Sequence, residues 1–481
     1  MKNHNNRARY SEPQQLQAQP SARSGLGRLL AGGLLRLREP RSGVASKSFA
    51  ALLTILACQP AGLFAQGSLM PPGSPAPTMK SLDQIEARTP ISAAPCIITN
   101  PGSYYLTANL NVTTGDAITI GANGVTLDLN GFTLSSSDPN NTGKGVLLDG
   151  SGGRRQNVTI LNGFITGSVG YDGSYSGYGF ESGITYTGPV PYAVRVAGVS
   201  VSGCLFYGIY LNTGFSTVVE SCTVQTVGNY GIVAAGVYRC AAYQCGSTAI
   251  FGTTVSDCYG YCLGGGDAVI ADTANNCYGF CDGGGIGLFA NNASNCHGQS
   301  SRGRGLRAGT ANSCDGYCAL YGPGLIATTA LNCRGESGGD GDGMMVTVAT
   351  GCYGNSTNAG IGLLATIALN SAGKSINTDG LIASAAANNC WGYSAQGNGV
   401  NAVSAANCSG QSDGEGYGVL SDTAIGCEGY SRSFVGLSGG LAIGCRGESD
   451  ASAGVGLDVY IANSCFGDPT AGSQFHYNMP P

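Results

Sequence analysis

A single cysteine returns every 18 to 20 residues over more than half of this 481-residue chain. Ser371 occupies the one missing place in the series. The series comprises Cys204, Cys222, Cys240, Cys258, Cys277, Cys296, Cys314, Cys333, Cys352, Cys390, Cys408, Cys427, Cys445 and Cys465. A period this constant is typical of repeat architectures, in which each interval folds into one unit that stacks on its neighbours.

Other residue types keep the same phase as the cysteines. Alanine commonly stands three residues before the cysteine, as at Ala274, and glycine two residues after it, as at Gly279. A "Gly-Leu-x-Ala" segment precedes them, and a loop rich in Gly and Ser follows. These short alternating segments favour strands and leave no run long enough for a helix. We therefore predict an all-β fold, a right-handed parallel β-helix (solenoid) with coils of 18–20 residues. A left-handed solenoid of hexapeptide repeats is the alternative.

The regular cysteines predict core packing, because strand pairing in register stacks identical positions and cysteine is a compact, frequently buried residue. We expect Ser371 to be buried and hydrogen-bonded in the same way. The residue before each cysteine is usually Asn, Asp, Ser or Gly, types that tolerate a left-handed backbone. Three further pairs four residues apart are candidates for disulfides within one coil: Cys258 and Cys262, Cys277 and Cys281, and Cys314 and Cys318.

Composition divides the chain unevenly. Residues 1–65 hold 9 Lys/Arg and 2 Asp/Glu, whereas residues 66–481 hold 14 and 26. The acidic remainder speaks against nucleic acid as a partner, because phosphates require basic side chains. The apolar run that starts at Phe49 and the small residues before Gln66 predict a secretory signal cleaved near Ala65. A lipoprotein signal ending at Cys58 is an alternative, and no segment has the roughly 20 apolar residues of a transmembrane span.

Five segments are expected along the chain. Residues 1–65 form an N-terminal extension with the signal peptide, and residues 66–95 form a linker or cap. Residues 96–203 form irregular first coils with a Tyr-rich loop at 168–193, and residues 204–467 form the regular cysteine-bearing coils. Residues 468–481 form a C-terminal tail. A secreted or cell-surface location follows from this organisation as an expectation.

The front segments "PGSYYLTANL", "GVTLDLNGFTL" and "NVTILNGFITG" alternate β-branched and polar residues. They resemble the first coils of secreted bacterial members of the right-handed parallel β-helix superfamily with the pectin-lyase-like fold. The resemblance extends over roughly residues 96–467. It implies the fold but no single function, because the superfamily includes polysaccharide lyases and hydrolases, phage tailspikes and adhesins.

Catalytic residues are not fixed by the sequence, and whether the protein is an enzyme stays open. A lyase or hydrolase would place its chemistry in the irregular front. The candidates there are Asp128, Asp149, Asp172, Arg154 and Arg155. The resemblance to polygalacturonases also draws attention to "NTDG" at 377–380, but the expected downstream histidine and basic segment are missing. His297, the one histidine of the repeats, lies upstream.

Two clusters of charged residues could bind ligands. Asp340 and Asp342 are candidate Ca²⁺ ligands because they are hard oxygen donors one residue apart, although solvated loop acids would look the same. Asp413 and Glu415 recur at the same phase, three coils too far away to share an ion. "RGRGLR", with Arg302, Arg304 and Arg307, is the basic cluster of the repeats. It is either a site for acidic polysaccharide or a solvated loop. No other cofactor is expected.

One outward-facing position is unexpectedly apolar. In "Gly-Leu-x-Ala" the residue x should face solvent, since side chains alternate along a strand. The apolar residues at this position are Phe251, Ile270, Phe289, Ile326, Met345, Leu364, Ile382 and Leu420. They predict a narrow apolar stripe that either contacts a partner, including a second copy of the chain, or is covered by a terminal segment.

Two functions remain open. The first is a secreted rod with a structural, adhesive, or polysaccharide- or partner-binding role at the cell surface. The second is a polysaccharide lyase or glycoside hydrolase acting on an acidic polysaccharide. Convergence of several front acids and an arginine in one groove would favour the enzyme.

Overall fold

The computed structural model describes residues 86–468, except 215 and 453, together with residues 475–477. All described residues belong to one compact unit. The predicted signal peptide and the alternative lipoprotein cysteine lie outside the described residues. No helix in the described ranges is long and apolar enough to cross a membrane.

The described residues form 43 strands and no helix, and the strands stack as a parallel β-solenoid of about 20 coils. The strands of the front coils are β1 Thr89–Ile91, β2 Cys96–Ile98, β3 Gly102–Leu106, β4 Leu110–Val112, β5 Ile118–Ile120, β6 Val125–Asp128, β7 Thr133–Ser136, β8 Lys144–Asp149, β9 Gln156–Thr166, β10 Gly170–Tyr171, β11 Tyr175–Ser176, β12 Ser182–Thr187, β13 Tyr192–Cys204, β14 Tyr207–Tyr210, β15 Thr217–Glu220 and β16 Thr223–Val227. The all-β solenoid predicted from the repeat is thus confirmed.

Each regular coil contributes one long and one short strand. The long strands are β17 Ile232–Tyr238, β19 Ile250–Ser256, β21 Val269–Asn275, β23 Leu288–Ser294, β25 Leu306–Asn312, β27 Leu325–Leu331, β29 Met344–Thr350, β31 Leu363–Leu369, β33 Leu381–Asn388, β35 Val400–Ala406, β37 Val419–Ile425, β39 Val435–Ile443 and β41 Val455–Asn463. The short strands are β18 Ala241–Cys245, β20 Tyr259–Cys262, β22 Tyr278–Cys281, β24 His297–Ser300, β26 Asp315–Cys318, β28 Arg334–Ser337, β30 Tyr353–Ser356, β32 Ala372–Ser375, β34 Trp391–Ser394, β36 Ser409–Ser412, β38 Glu428–Ser431, β40 Arg446–Ser449 and β42 Phe466–Asp468. A last strand, β43 Phe475–Tyr477, pairs with β41.

The sheet extends beyond both expected ends. β1 pairs with β3, so the paired strands begin at Thr89, inside the segment expected to be a linker or cap. β43 lies in the expected C-terminal tail and still pairs in parallel. Strand pairing with the next coil satisfies backbone groups that would otherwise be exposed at an edge.

Identical positions stack from coil to coil. In β21 and β23, for example, Val269 pairs with Leu288 and Ala271 with Ala290. In most long strands the inward residues are one aliphatic residue and two smaller ones, and nearly all of them are buried, as Leu363, Ala365 and Ala368 are in β31. A corner inside the strand turns two successive side chains outward, as at Asn291 and Asn292. Small inward side chains let the opposite walls approach closely.

A left-handed residue bends the chain before each short strand. From Ser221 to Ser464, all fourteen residues that precede a regular cysteine or Ser371 have φ between 49° and 64°. Ten of them are Asn, Asp or Ser, one is Arg239, and the other three are Gly351, Gly426 and Gly444. The prediction of a left-handed backbone at this position is confirmed, and the geometry explains the preference for Asn, which tolerates it best among residues with a side chain.

The stacked cysteines complete the hydrogen bonding of this bend. The thiol of Cys240 donates to the carbonyl oxygen of Tyr238 (Sγ to O, 3.2 Å). Its sulfur also accepts the backbone N–H of Cys222 in the preceding coil (N to Sγ, 3.4 Å). The same pair of contacts recurs at Cys258, Cys333, Cys445 and Cys465. A small side chain that both donates and accepts is therefore required once per coil.

Ser371 reproduces both contacts with oxygen. It is 3% exposed; its hydroxyl donates to the Leu369 carbonyl oxygen at 2.8 Å and accepts the Cys352 N–H at 3.1 Å. The expectation of a buried, hydrogen-bonded serine is confirmed.

Replacing Ser371 by cysteine should leave the melting temperature unchanged or raise it, because both contacts survive. Ser371→Ala should lower the free energy of unfolding by about 1–2 kcal/mol, since the N–H of Cys352 and the carbonyl of Leu369 lose a buried partner. Denaturant unfolding of both variants beside the wild type measures the difference. Equal stability of the Ala and Cys variants would show that the hydrogen bonds contribute nothing.

Cys204 does not belong to the cysteine column that the sequence period suggested. In β13, Val199 stands in register with Cys222, whereas Cys204 pairs with Val227 and so precedes Cys245. The strand β13 is thirteen residues long, and its extra residues shift the register between successive coils. The spacing of 18 residues between Cys204 and Cys222 does not reveal this shift. Burial raises the pKa of the Cys204 thiol to about 12, so it stays protonated.

Cys204 begins a second inward column in which cysteine gives way to serine. Its later members include Cys245, Cys262, Cys281, Ser300 and Cys318. The Ser300 hydroxyl donates to the Gly285 carbonyl oxygen at 2.8 Å, and the Cys318 thiol donates to that of Gly303 at 2.9 Å. Thiol and hydroxyl are interchangeable here because either can hold the Gly-rich loop of the preceding coil.

The disulfides expected within one coil are not formed. All 19 cysteines of the described residues are free thiols. Cys258 and Cys262 lie at the two ends of an extended segment, about 13 Å apart at the usual rise of a strand, which exceeds the Cα separation that a disulfide can bridge. The same holds for Cys277 with Cys281 and for Cys314 with Cys318. The sequence spacing suggested a tight corner, but the corner lies before the first cysteine of each pair.

The Tyr-rich loop is shorter than expected, and it contacts the coils. Only residues 168–181 leave the coils, and they contain the antiparallel pair β10–β11. Residues 182–187 form β12, which pairs with β8 and β14. The hairpin lies back on the solenoid, because the Tyr175 hydroxyl donates to the Gln244 carbonyl oxygen at 2.8 Å and burial raises the pKa of Tyr175. The predicted projecting loop of 168–193 is corrected accordingly.

Candidate functional site

The front acids proposed for catalysis have separate structural partners. Asp128 pairs with Arg88 (Oδ2 to Nη1, 3.1 Å) and accepts the Asn130 N–H at 2.8 Å. Asp149 accepts the N–H and hydroxyl of Ser151, and these hydrogen bonds hold its pKa below the usual value. Asp172 lies in the exposed turn between β10 and β11.

The arginines of the front do not complete a catalytic group with these acids. Arg155 is buried and donates to backbone carbonyl oxygens of Gly121 and Gly153. Arg154 is exposed. Within residues 86–468 as described, no hydrogen bond or ion pair joins any two of the five candidates, although Arg155 contributes slightly to the lowered pKa of Asp149. A catalytic role for these five residues stays a prediction.

The other acidic candidates hold loops together. Asp342 accepts the Ile361 N–H of the next coil at 2.8 Å, and Asp340 accepts the side-chain amide of Asn358 at 2.6 Å. Asp379 of "NTDG" accepts the Asn398 N–H at 2.9 Å, at the same phase as Asp342. Among the described residues, no group of three or more His, Cys, Asp or Glu side chains could hold a metal ion. Binding of Ca²⁺ by Asp340 and Asp342 stays a prediction.

Acids of the later loops are also paired. Asp413 accepts hydrogen bonds from Gln411 and Tyr393 at 3.0 Å each, and these hold its pKa below the usual value. Arg432 lies 3.5 Å from the same carboxylate. Glu415, two residues later, is exposed. Among the described residues, these two acids form no metal-binding group with Asp340 or Asp342.

The apolar residues at the x position form one continuous column. Strand register places Phe251, Ile270, Phe289, Arg307, Ile326, Met345, Leu364, Ile382, Asn401 and Leu420 in successive coils. All eight predicted apolar members are half-buried, because each packs against the copies above and below it. Val233, which precedes them in the column, is only 2% exposed. A role in association stays a prediction.

A different surface forms a concavity on the outside of the coils. The left-handed bend before each short strand creates a groove of about 700 Å³ on the outside of the coils. Arg239, Asp257, Asn276 and Asn295, the residues at the bend, line one side. Tyr259, Tyr278 and His297, the first residues of the short strands, line the other. We call this the bend groove. It runs over four coils, or about 14 Å at ~4.8 Å per coil.

The aromatic side of the bend groove is a stack of rings. Tyr259 and Tyr278 are parallel, with ring centroids 5.2 Å apart and 1° between the planes. His297 continues the stack 4.8 Å from Tyr278, and Tyr243 begins it 5.0 Å from Tyr259. Burial raises the pKa of Tyr259 and Tyr278, so both hydroxyls stay protonated and can donate. The Tyr278 hydroxyl lies 2.8 Å from the side-chain oxygen of Gln299.

The polar side of the bend groove carries hydrogen-bonding groups and little free charge. Asn276 donates its side-chain amide to Asp257 at 3.1 Å. Arg239 pairs with Glu220 at 3.2 Å, which neutralises the one guanidinium of the groove. His297 Nδ1 lies 3.2 Å from the Asp315 carboxylate of the next coil. The groove therefore combines apolar ring surface with amide and carboxylate groups that can bind hydroxyls.

The same face remains rich in aromatic and polar side chains in later coils. The column that contains Tyr259, Tyr278 and His297 continues through Arg334, Tyr353, Trp391 and Arg446. Arg334 lies over the ring of Tyr353, with 5.8 Å to the centroid. A smaller cavity of about 120 Å³ lies beside Trp391, between Gln411 and Glu448. The coils between them carry Asp315, Ala372, Ser409 and Glu428 at this position, so aromatic rings recur along the face without being continuous.

Comparison of the chain with protein-family models, with curated proteins and with solved structures finds no match in any of the three.

Sequence reasoning missed the bend groove, except for His297. The sequence does contain a signal for this groove. In three consecutive coils the residue directly after the cysteine is aromatic: Tyr259, Tyr278 and His297. The period identifies the inward positions directly, whereas the outward residues beside the cysteine vary from coil to coil. Which of the outward columns lines a concave surface depends on the bend.

Proposed function

We propose that this solenoid binds an extended, neutral polysaccharide along the bend groove, in a structural or adhesive role outside the cell. The observation that carries the proposal is the stacked aromatic column facing a row of amide and carboxylate groups across one open groove. Carbohydrate-binding surfaces need apolar ring surface for the C–H faces of sugars and polar groups for their hydroxyls. The length of the groove, over four coils, suits a polymer better than a small ligand.

Charge favours a neutral ligand for this groove. Arg239 is paired with Glu220, and the remaining ionisable groups include the carboxylates of Asp257 and Asp315. An acidic polysaccharide would meet repulsion in this groove. Export of the protein, the right-handed winding and membership of the pectin-lyase-like superfamily belong to the same proposal. Export is supported by the signal-like segment before Gln66, the winding by the preference of parallel crossovers for the right hand, and the superfamily by the resemblance of the front coils.

The test compares two double variants. Tyr259→Ala/Tyr278→Ala should weaken binding of the best neutral glycan by about tenfold or more, because two aromatic contacts of roughly 1 kcal/mol each are lost. Tyr178→Ala/Tyr192→Ala removes two exposed tyrosines elsewhere and should bind like the wild type. Affinity electrophoresis or calorimetry against a panel of neutral and acidic glycans measures this, with melting curves to show that both variants fold.

Two outcomes would contradict the proposal. One is equal binding by both double variants, which would place the ligand elsewhere. The other is release of new reducing ends or unsaturated products from any glycan by the wild type, which would make the protein an enzyme. The same panel therefore distinguishes the binding protein from the lyase or hydrolase.

A further inference from the structure

The Gly-rich loops of three consecutive coils form a second concavity, separate from the bend groove. Its volume is about 390 Å³. Gly284 and Ile286 line it from the first loop, residues 302–304 from the second and residues 321–323 from the third. We call this the loop cavity. No Asp or Glu belongs to its lining, although the body of the chain carries 26 acidic residues against 14 basic ones.

Two arginines in the loop cavity have unused donors. Arg302 and Arg304 are exposed, and among the described residues neither guanidinium forms an ion pair or a hydrogen bond. Three other exposed arginines of the repeats are paired: Arg334 with Glu336 at 2.6 Å, Arg432 with Asp413 at 3.5 Å, and Arg446 with Glu448. Two unpaired guanidiniums in one concavity leave a local positive potential and a set of planar donors.

The nearest acids have other partners. Asp282 accepts the Ser301 hydroxyl at 2.8 Å. Asp267 accepts the Ile286 N–H at 2.7 Å, and burial raises its pKa while Arg304 and Arg307 lower it. Arg307 itself lies over the Phe289 ring, 5.3 Å from the centroid, outside the cavity. The donors of Arg302 and Arg304 are therefore available to a ligand.

We propose that the loop cavity binds the oxyanion groups of an anionic polysaccharide, with Arg302 and Arg304 as the donors. Guanidinium groups match the geometry of carboxylate and sulfate oxygens, which both accept two hydrogen bonds in one plane. Tyr321 adds a ring that is 66% exposed and can pack against a sugar. Nucleic acid fits poorly, because its binding requires a stripe of cations rather than two on an acidic body.

Carboxylate and sulfate ester share this chemistry, so the experiment uses both. Wild type and variants are run by affinity electrophoresis at fixed low salt in alginate, heparin, dextran or double-stranded DNA. Arg302→Gln/Arg304→Gln should weaken binding to the preferred anionic glycan by about tenfold or more, as expected for lost charged hydrogen bonds. Arg302→Lys/Arg304→Lys should lose less, because the charge remains while the planar donor pair is gone.

The matched control removes the same charge elsewhere. Arg195→Gln/Arg432→Gln should bind anionic glycans like the wild type, and melting curves should show all variants folded, since the four side chains are exposed. An equal loss in this control, no retention of the wild type by alginate or heparin, or equally strong binding to DNA would each overturn the proposal. The outcome is independent of the bend groove, because Tyr259→Ala/Tyr278→Ala leaves the loop cavity intact.

Discussion

Gly335→Val should prevent cooperative folding of the central coils, with a loss of about 3 kcal/mol or more. Gly335 occupies the inward position two residues after Cys333, where the two walls of the coil meet backbone to backbone. A Cβ atom at Gly335 would collide with the backbone oxygen of Gly343 and lie 3.0 Å from the Cβ of Met344. Backbone cannot rotate away as a flexible side chain can, so the strands would have to separate.

Gly284→Val is the control for this prediction. Gly284 lies in a loop, and a Cβ there would have no heavy atom within 4 Å. The same substitution should therefore change the free energy of unfolding by less than about 1 kcal/mol. Circular dichroism and denaturant unfolding of both variants provide the measurement. If Gly335→Val melted like the wild type, the close contact between the two glycine columns would not exist in solution.

Asn389→Val should cost about 2–3 kcal/mol, because φ is 51° at Asn389 and a β-branched side chain clashes in the left-handed region. The substitution also removes the side-chain hydrogen bond from Asn389 to Asn370, 3.2 Å long. Asn389→Gly loses that bond but keeps the backbone geometry, so it should cost less than half as much.

Asn388→Val provides an internal comparison one residue away. Asn388 is also exposed, but it lies in the extended strand β33, where valine is favoured. The stability of the Asn388→Val variant should equal or exceed that of the wild type. Thermal melts of the three variants measure this series. Similar losses for valine at both positions would mean that the left-handed bend is not what limits the choice of residue.

Much of the architecture could be predicted from the sequence because coil stacking converts a period in the chain into columns in space. The buried alanine and cysteine positions, the left-handed residue and the role of Ser371 all follow from that translation. The prediction that Cys204 belongs to the regular cysteine column was wrong, because a constant coil length can conceal a shift in strand register. Cys204 lies 18 residues before Cys222, yet the long strand β13 places it in the column of Cys245. The spacing between cysteines does not show which strand contains the extra residues.

The sequence by itself determined a parallel β-solenoid, since only coils of equal length can keep cysteine, alanine and glycine in register over so many repeats. Only the tertiary structure decided which outward columns form a surface that a ligand can use. The apolar column that contains Phe251 and Phe289 runs across successive long strands, and its side chains are half-buried because they stack on one another. The column of Tyr259 and Tyr278 borders a concave bend, because the residue before each cysteine is left-handed and turns the chain there.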